Sequence, residues 1–334
     1  MTPAASDSVP PAQDLAADQA IDDALEDLRV AGSVLFHETY RVPWTITVPE
    51  ETWLRQWRGV DVDTRVLVFH FIRAGELVLR IDGQPPVPVR AGEVVVCPSG
   101  VPHTLGSGQA PFVPFERVLR GEGPERVAHG TPGATELICG FFFVRAVPLN
   151  PLLGALPPVL RVTIDDPTAG PLLAATAAML VHEIDRGALR SFSAARLLEV
   201  FCAETIRAHQ RGGRLLAQGW FRGLADPRIA EAIRRIHAAP AHDWSVEALA
   251  TCVSLSPSRF AARFRDRTGQ SVMQYVAAWR ANVACRWLRD TDRPLGEIAE
   301  RIGYASLPAF SRAFKAQTGQ SPAVWRRARG VAAP

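Results

Sequence analysis

The sequence has 334 residues, of which 47% are apolar and 21% charged, and it carries a formal net charge of +3. A chain of this length and composition can build two ordinary hydrophobic cores and is not intrinsically disordered. The longest apolar run, Leu137–Val144, is strand-sized and falls well short of the roughly 20 residues that cross a bilayer, so we expect no membrane partner. Five scattered cysteines without a CxxC pair fit the reducing cytoplasm, where we expect the protein.

The N-terminal part of the chain changes from a polar tail to strand-like segments. Residues 1–20 are rich in Ala, Pro and Asp and lack the basic start and apolar core of a signal peptide, which predicts a disordered tail. Residues 21–148 contain short apolar or alternating runs, such as Val66–Ile72 and Glu76–Ile81, separated by turn signals such as Asp82-Gly83. Short strands at this spacing favour a β-sandwich or barrel.

A helical segment and a linker are predicted next. Residues 149–209 have helical periodicity, with apolar stripes in Leu172–Ile184 and Leu197–Ile206. Helices of this kind are candidates for a dimer interface, although packing on their own domain explains the same stripes. The Gly/Arg-rich residues 210–224 are predicted to form a linker, and residues 225–330 a separate domain.

Charge is distributed unevenly along the chain. From Asp226 to the C-terminus there are 17 Arg and Lys against 9 Asp and Glu, a net charge of +8, whereas residues 1–225 carry −5. A basic C-terminal third on an acidic body indicates a polyanionic partner for that third. Basic faces that are merely solvated give the same count, so the charge supports nucleic-acid binding only together with a motif.

One pattern occurs twice near the C-terminus. Ser256–Phe264 and Thr268–Ser271 return fifty positions later as Ser306–Phe314 and Thr318–Ser321. Each copy has a short helix, a tight turn and a second helix with phenylalanines at i and i+4, which is the plan of a helix-turn-helix. We therefore predict two such units, each with a second helix able to enter the major groove of DNA.

The outward faces of the two second helices are predicted to contact DNA, because the phenylalanines occupy the inward faces. Arg312 can make the bidentate contact with guanine, whereas its counterpart Ala262 offers only an apolar contact with a thymine methyl. The two copies are therefore expected to contribute unequally to specificity. The alternative is a helical adaptor whose arginines only keep it soluble. The predicted DNA-binding residues are Ser256, Ser258, Arg259, Ala262, Arg265, Ser306, Leu307, Pro308, Ser311, Arg312 and Lys315.

This repeat resembles the AraC-type DNA-binding domain over about residues 224–329. The resemblance implies two helix-turn-helix units joined by a long helix at about Val272–Asp290, inserted into successive major grooves on one face of the DNA. Relatives often carry a larger polar or basic residue where this chain has Ala262, which puts strong base readout by the first copy in doubt. The segments that carry the resemblance are Trp244–Ala250, Leu255–Phe264, Ile298–Ser306, Ala309–Lys315 and Thr318–Arg326.

The β-domain resembles a cupin. Gly92, Pro98, Gly100 and His103 match the second cupin motif at every spacing as far as the histidine, although Ser107 stands where the motif has asparagine. The position of this domain before an AraC-type tail is similar to the cupin-sensor group of such regulators.

The first cupin motif survives only in part. His70 and Glu76 occupy two of its three ligand positions, Ile72 replaces its second histidine, and Thr64 stands where a glycine is expected.

The effector site is predicted around His70, Glu76 and His103. These residues could converge on a metal ion, with Cys139 or His129 completing a softer site, because such sites need three or four N, O or S ligands. Histidines satisfied inside the barrel and a solvent-facing Glu76 are the favoured alternative. A divalent metal in this domain therefore stays open but is not expected.

Cys97 and Cys139 are candidate sensor thiols. Either could detect oxidants or electrophiles if it were partly exposed with a lowered pKa. A cysteine in an apolar strand is more often a small buried hydrophobe.

These patterns predict an α+β protein of two domains: an N-terminal cupin-like β-barrel followed by helices, and a C-terminal all-α domain with two helix-turn-helix units. We expect a cytoplasmic transcription regulator that binds double-stranded promoter DNA and responds to a small-molecule effector or chemical stress. RNA polymerase is an expected partner, and a homodimer is a candidate assembly. No catalytic residue and no cofactor are expected. The competing hypothesis is a metal-dependent cupin enzyme with an accessory helical domain.

Overall fold

The computed structural model describes residues 12–26, 28–60, 64–145, 150–189, 191–212 and 219–328. The chain divides into two compact units. The barrel unit comprises residues 28–146 and 156–215, and the helical unit comprises residues 1–27, 147–155 and 216–334. Among the described residues, no helix is long and apolar enough to cross a membrane.

Strands and helices are numbered here in chain order. The strands are β1 (Arg29–Tyr40), β2 (Trp44–Val48), β3 (Thr64–Ala74), β4 (Glu76–Arg80), β5 (Val87–Arg90), β6 (Glu93–Cys97), β7 (His103–Ser107), β8 (Val113–Pro114), β9 (Thr135–Arg145) and β10 (Leu160–Thr163). The helices are α1 (Ala12–Glu26), α2 (Glu51–Arg58), α3 (Phe115–Leu119), α4 (Pro151–Ala155), α5 (Pro171–Asp185), α6 (Phe192–Arg211), α7 (Gly219–Leu224), α8 (Pro227–Ala238), α9 (Val246–Cys252), α10 (Pro257–Thr268), α11 (Val272–Asp290), α12 (Leu295–Arg301), α13 (Leu307–Thr318) and α14 (Pro322–Ala328).

The barrel unit is built from two five-stranded sheets with the orders β1-β9-β3-β6-β10 and β5-β4-β7-β2-β8. The central strands β3 and β9 are buried along almost their whole length, which explains why they form continuous apolar runs. Strand β4 alternates instead, with Leu77 and Leu79 inward, because its other face meets solvent. Helices follow in the C-terminal part of the chain, so the predicted α+β class is confirmed. Residues 149–209, predicted to be helical, also contain β10, which pairs with β6 at the edge of the first sheet.

A chain of hydrogen bonds lies inside the barrel. His103 Nδ1 is 3.2 Å from the Val101 carbonyl, His70 Nε2 is 3.1 Å from His103 Nε2, and Cys139 Sγ is 2.8 Å from His70 Nδ1. With both imidazoles neutral, each ring donates one proton and accepts another: Cys139 to His70, His70 to His103, His103 to Val101. Burial lowers the pKa of His103 to about 4 and that of His70 well below its ordinary value, which keeps this chain uncharged.

Helix α6 packs on its own domain. It lies against β1, β9 and β10 of the first sheet, and its Leu198 reaches the backbone of β1 at Gly32. This contact favours intradomain packing as the explanation of the α6 stripe. Apolar side chains nevertheless remain exposed on α5 and α6, among them Leu172, Met179 and Phe192.

The helical unit begins before the barrel in the chain. Residues 12–20, predicted as part of a disordered tail, belong to helix α1, which packs on α8. Ile21 and Ala24 are buried, and the buried Asn150 side chain donates to the Ala24 carbonyl at 2.7 Å. The prediction of a disordered tail was wrong for residues 12–20, because the polar start of the sequence leads into a helix whose C-terminal part is apolar and buried. Residues 1–11 of the predicted tail lie outside the described residues.

The predicted linker is also partly helical. Residues 210–211 end α6, and residues 219–224 form α7, in which Trp220, Phe221 and Leu224 are buried. The indole Nε1 of Trp220 donates to the Tyr275 hydroxyl at 2.8 Å. Aromatic anchoring therefore ties this segment to the helical unit, and residues 213–218 lie outside the described residues.

Gly32→Ala should destabilise the barrel unit. A methyl group at this position would collide with Cβ of Leu198, and overpacking of this kind costs about 1–3 kcal/mol. Chemical denaturation followed by circular dichroism measures the change. Gly123→Ala is the matched control, because its new Cβ would meet Val118 at an ordinary 3.6 Å. Equal stability of Gly32→Ala and wild type would contradict the packing of α6 on β1.

Acidification should destabilise the barrel unit through its buried histidines. Because the pKa of His103 is about 4 in the folded state against an ordinary 6.5, the unfolded chain binds more protons between these values. The contribution of His103 to the free energy of unfolding is therefore fully present above about pH 6.5. It falls by up to about 1.4 kcal/mol per pH unit as the pH is lowered to about 4. Denaturant titrations at several pH values in this range give the free energy of unfolding. We expect it to depend less steeply on pH in His103→Gln than in wild type. The exposed His182 on α5 supplies the control His182→Gln, and a wild-type stability independent of pH would refute the assignment.

Candidate nucleic-acid interface and sensor residues

Each helix-turn-helix unit is formed by a pair of short helices, α9 with α10 and α12 with α13. Two residues after the first helix ends, the chain has a residue with positive φ, Ser254 at 54° in the first copy and Gly303 at 85° in the second. The next residue then bonds back, Leu255 N to Ala250 O at 3.0 Å and Tyr304 N to Ala299 O at 2.9 Å, as in a Schellman turn. The helix-turn-helix plan predicted from the repeat is therefore present twice.

The two turns differ by one residue. Helices α9 and α12 begin 49 positions apart, at Val246 and Leu295, whereas α10 and α13 begin 50 positions apart, at Pro257 and Leu307. The second turn is therefore one residue longer. Glycine occupies its left-handed position, a backbone conformation that is unfavourable for residues with a side chain.

Aromatic packing fixes the inward face of each second helix. Phe260 and Phe264 are fully buried, and Phe264 meets the ring of Tyr275 edge-on at 5.7 Å. In the second copy, Phe314 meets Trp325 in the same way at 6.0 Å. Because residues at i and i+4 lie on one side of a helix, this burial turns the opposite side outward.

The repeated Thr-Gly-Gln-Ser segments terminate the second helices. Gly269 and Gly319 adopt φ of 78° and 77°, a conformation that favours glycine. The Thr268 hydroxyl accepts from Gln270 N at 3.4 Å and the Thr318 hydroxyl from Gln320 N at 3.3 Å. These residues are scaffold, which explains why they are the most alike part of the two copies.

The structure places the predicted DNA-binding residues together on the outward faces. All of them are exposed except Ser311, which is half-buried. Ser306 caps α13 by accepting from Ala309 N at 3.3 Å. The four basic members form no ion pair within the described part of the chain, which leaves their charges available to a partner; they are Arg259, Arg265, Arg312 and Lys315.

Two other arginines of α10 have a structural role. Arg263 Nε donates to the buried Asp226 carboxylate at 2.6 Å, and Arg267 Nε lies 3.5 Å from it. The same carboxylate caps α8 by accepting from Arg228 N at 3.2 Å. Helical periodicity separates these two arginines from the outward Arg259 and Arg265, but it does not identify their partner, because Asp226 lies 37 positions before Arg263.

The predicted sensor residues do not converge on one point. His70 and His103 meet inside the barrel, whereas the Glu76 side chain is 74% exposed and lies 3.9 Å from Arg90. Glu76 instead lines an open cavity of about 520 Å³. His70 and His103 are hydrogen-bonded to each other, and Glu76 is not part of that pair.

The two candidate thiols are buried. Burial raises the pKa of Cys97 to about 12 and that of Cys139 well above its ordinary value. Both side chains are therefore neutral thiols at physiological pH, and the condition of an exposed thiolate is not met. The alternative reading, small buried hydrophobes, fits their environment.

The structure also contains a polar cluster that the sequence did not predict. His37 Nε2 lies 2.8 Å from Glu136 Oε1, and the ring of His129 stacks on that of His37 with centroids 4.1 Å apart. Within the described residues, these three form the one group of histidine, cysteine or acidic side chains whose ligand atoms all lie within 4.8 Å of one another. No sequence signal connects them, because only strand pairing brings positions 37 and 136 together.

Comparisons with known proteins match this architecture. Residues 19–211 match a family model described as a cupin, and residues 249–328 match one described as a helix-turn-helix domain. An AraC-like transcription regulator from Streptomyces antibioticus is 31% identical over 281 residues, covering 81% of this chain and 90% of that protein. The HTH-type transcriptional regulator AlkR from Acinetobacter baylyi is 26% identical, covering 81% of this chain and 91% of its own length.

A solved structure is similar to part of this chain. The DNA-binding domain of AdpA, a global transcriptional factor in complex with a target DNA, is 32% identical, with a TM-score of 0.29, and covers 30% of this chain and 92% of that one. The family is established by the cupin match over more than half of the chain and by the similarity to the Streptomyces regulator along most of both proteins. The chain belongs to the AraC-type transcription regulators with an N-terminal cupin domain, and it is a DNA-binding regulator rather than an enzyme.

Proposed function

We propose that this regulator binds promoter DNA sequence-specifically in the cytoplasm through α10 and α13 together. The observation that carries the proposal is the pair of outward helix faces whose basic side chains have no partner within the described residues. Cations in such positions suit phosphate oxygens and guanine edges. RNA polymerase is the partner through which promoter binding would alter transcription.

Unequal readout by the two helices follows from their side chains. Arg312 on α13 is exposed, carries five donors in a planar fork and can bond guanine O6 and N7 together. Ala262 occupies the matching place on α10 and can contact only an apolar group. We therefore assign most of the base discrimination to α13, while Arg259 and Arg265 on α10 hold the phosphate backbone.

The barrel unit is the proposed effector-binding part. The space beside His70 and Cys139 inside the barrel is only about 10 Å³, less than a small metabolite needs. The open cavity lined by Thr39, Glu76 and Thr131 has a volume of about 520 Å³, within the range of small-molecule sites. An effector bound there would shift the population of DNA-binding states by its differential affinity for them.

A homodimer is the assembly we propose for the regulator. The exposed apolar side chains on α5 and α6, including Leu172, Met179 and Phe192, could be covered by a second subunit. Thiol-based stress sensing is less well supported, because Cys97 and Cys139 are buried with raised pKa values.

Arg312→Ala should relax specificity at one base pair. Loss of a bidentate contact removes about 1–3 kcal/mol of discrimination in favour of guanine, whereas Arg265→Ala, which removes a phosphate contact, should weaken binding to all sequences alike. Selection from a randomised DNA library, followed by affinity measurements at several salt concentrations, separates the two effects. Unchanged base preferences in Arg312→Ala would overturn the assignment, and binding that does not depend on salt would favour the adaptor hypothesis.

Thr131→Trp should block the effector response without affecting DNA binding. Thr131 is half-buried in the wall of the open cavity, so an indole there would project into the cavity and obstruct a bound ligand. We expect a protein-free extract of host cells to change the operator affinity of wild type about 5–150-fold and to leave the variant unchanged. Gln84→Trp, in an exposed turn of the same unit that does not line the cavity, is the control. A full response by Thr131→Trp would place the effector elsewhere.

A further inference from the structure

We propose that His37, Glu136 and His129 form a binding site for one divalent first-row transition-metal ion of the Zn²⁺ class. The site is separate from the His70–His103 chain inside the barrel, and it goes beyond the proposed effector function. Two imidazoles and one carboxylate are a sufficient set of protein ligands for such an ion.

Strand pairing places two of the ligands side by side. Thr39 of β1 pairs with Glu136 of β9, and His37 pairs with Ile138. Residues two positions apart on a strand share a face, so His37, Thr39 and Glu136 all project from the same side of the sheet. His37 and Glu136 are therefore held by the backbone of the two strands rather than by a loop.

The third ligand comes from the segment that precedes β9. That segment runs along the end of β1, where Val127 N donates to Thr39 O at 2.9 Å and Arg41 N donates to Glu125 O at 3.0 Å. His129 Nδ1 lies 2.7 Å from the Thr39 hydroxyl. The His129 side chain is 53% exposed, so its ring has room to turn toward an ion.

The spacing of the ligand atoms suits a single ion. His37 Nε2 is 2.8 Å and His129 Nδ1 is 4.0 Å from Glu136 Oε1. Atoms bound to tetrahedral zinc at about 2.0–2.2 Å lie about 3.3 Å from each other. These two separations change by less than about 1 Å, and the exposed His129 ring turns out of its stack on His37 so that both rings direct a nitrogen at the ion.

Arg73 is the cation that now faces the cluster, and it has another partner. A bulge in β3 between Ile72 and Ala74 lies at Arg73, whose Nη1 is 3.2 Å from Glu136 Oε1. The same Nη1 donates to Asp185 Oδ1 of α5 at 2.7 Å. Arg73 Nη1 also lies 3.3 Å from His37 Nε2. An ion bound by His37 and Glu136 therefore displaces Arg73 from both side chains and leaves it paired with Asp185, while Glu136 neutralises one of the two charges of the ion.

The ligand types select the class of ion. Imidazole nitrogens favour zinc, copper, nickel and iron over the oxygen-seeking magnesium and calcium. Three protein ligands leave a coordination position for water or an exogenous group. Because Thr39 and Glu136 also line the open cavity of about 520 Å³, that position adjoins the space proposed for the effector.

Calorimetric titration of the full-length protein with Zn²⁺ tests the site, with Mg²⁺ as the contrasting ion. We expect one Zn²⁺ per chain, no Mg²⁺ binding, and an affinity at least about tenfold lower in His129→Ala and in Glu136→Gln. His129→Ala removes an exposed side chain and should fold normally, which circular dichroism checks. His182→Ala removes an exposed histidine from the same unit and should leave the affinity unchanged.

Substitution with Co²⁺ identifies the donor atoms independently. The proposed ligands are nitrogen and oxygen, so the bound Co²⁺ should show ligand-field absorption without a thiolate charge-transfer band. Such a band would assign the ion to a cysteine and overturn the proposal. Zn²⁺ affinity equal to wild type in both His129→Ala and Glu136→Gln would also overturn it, whether or not the protein binds its operator.

Discussion

Burial of paired phenylalanines on one side of α10 and of α13 is the constraint on which the DNA-binding design depends. Phe260 and Phe264, and likewise Phe310 and Phe314, are removed from solvent, and the helical period then leaves the opposite side outward. The basic side chains on that side have no competing carboxylate within the described residues. Aromatic packing thus orients the charges that we propose contact DNA.

The barrel unit separates its interior from its polar surface sites. Its core tolerates His70 and His103 only as neutral rings in a closed chain of hydrogen bonds, because a charge there would be desolvated without a counterion. The cavity that we propose for the effector lies instead beside Glu76 and Glu136. There strand pairing brings His37 next to Glu136.

The amount that sequence reasoning could predict differs between the two units. The helix faces of the repeat follow from local periodicity, so Arg312 and Lys315 could be placed on the surface by counting along the helix. The cupin motif correctly suggested a β-rich domain, but it grouped Glu76 with His70 although the two side chains face different environments. The role of Asp226 as the partner of Arg263 could not be seen, because it depends on packing between helices distant in sequence.

Sequence by itself determined the family, the duplicated helix-turn-helix plan and the basic outward faces of α10 and α13, because each depends on residues a few positions apart in a regular helix. Only the tertiary structure decided that α6 covers β1, that residues 12–20 are helical, and that His37, His129 and Glu136 share one corner of the barrel. These features arise where strands and helices far apart in the chain meet. Their contacts depend on register and packing, which no local pattern records.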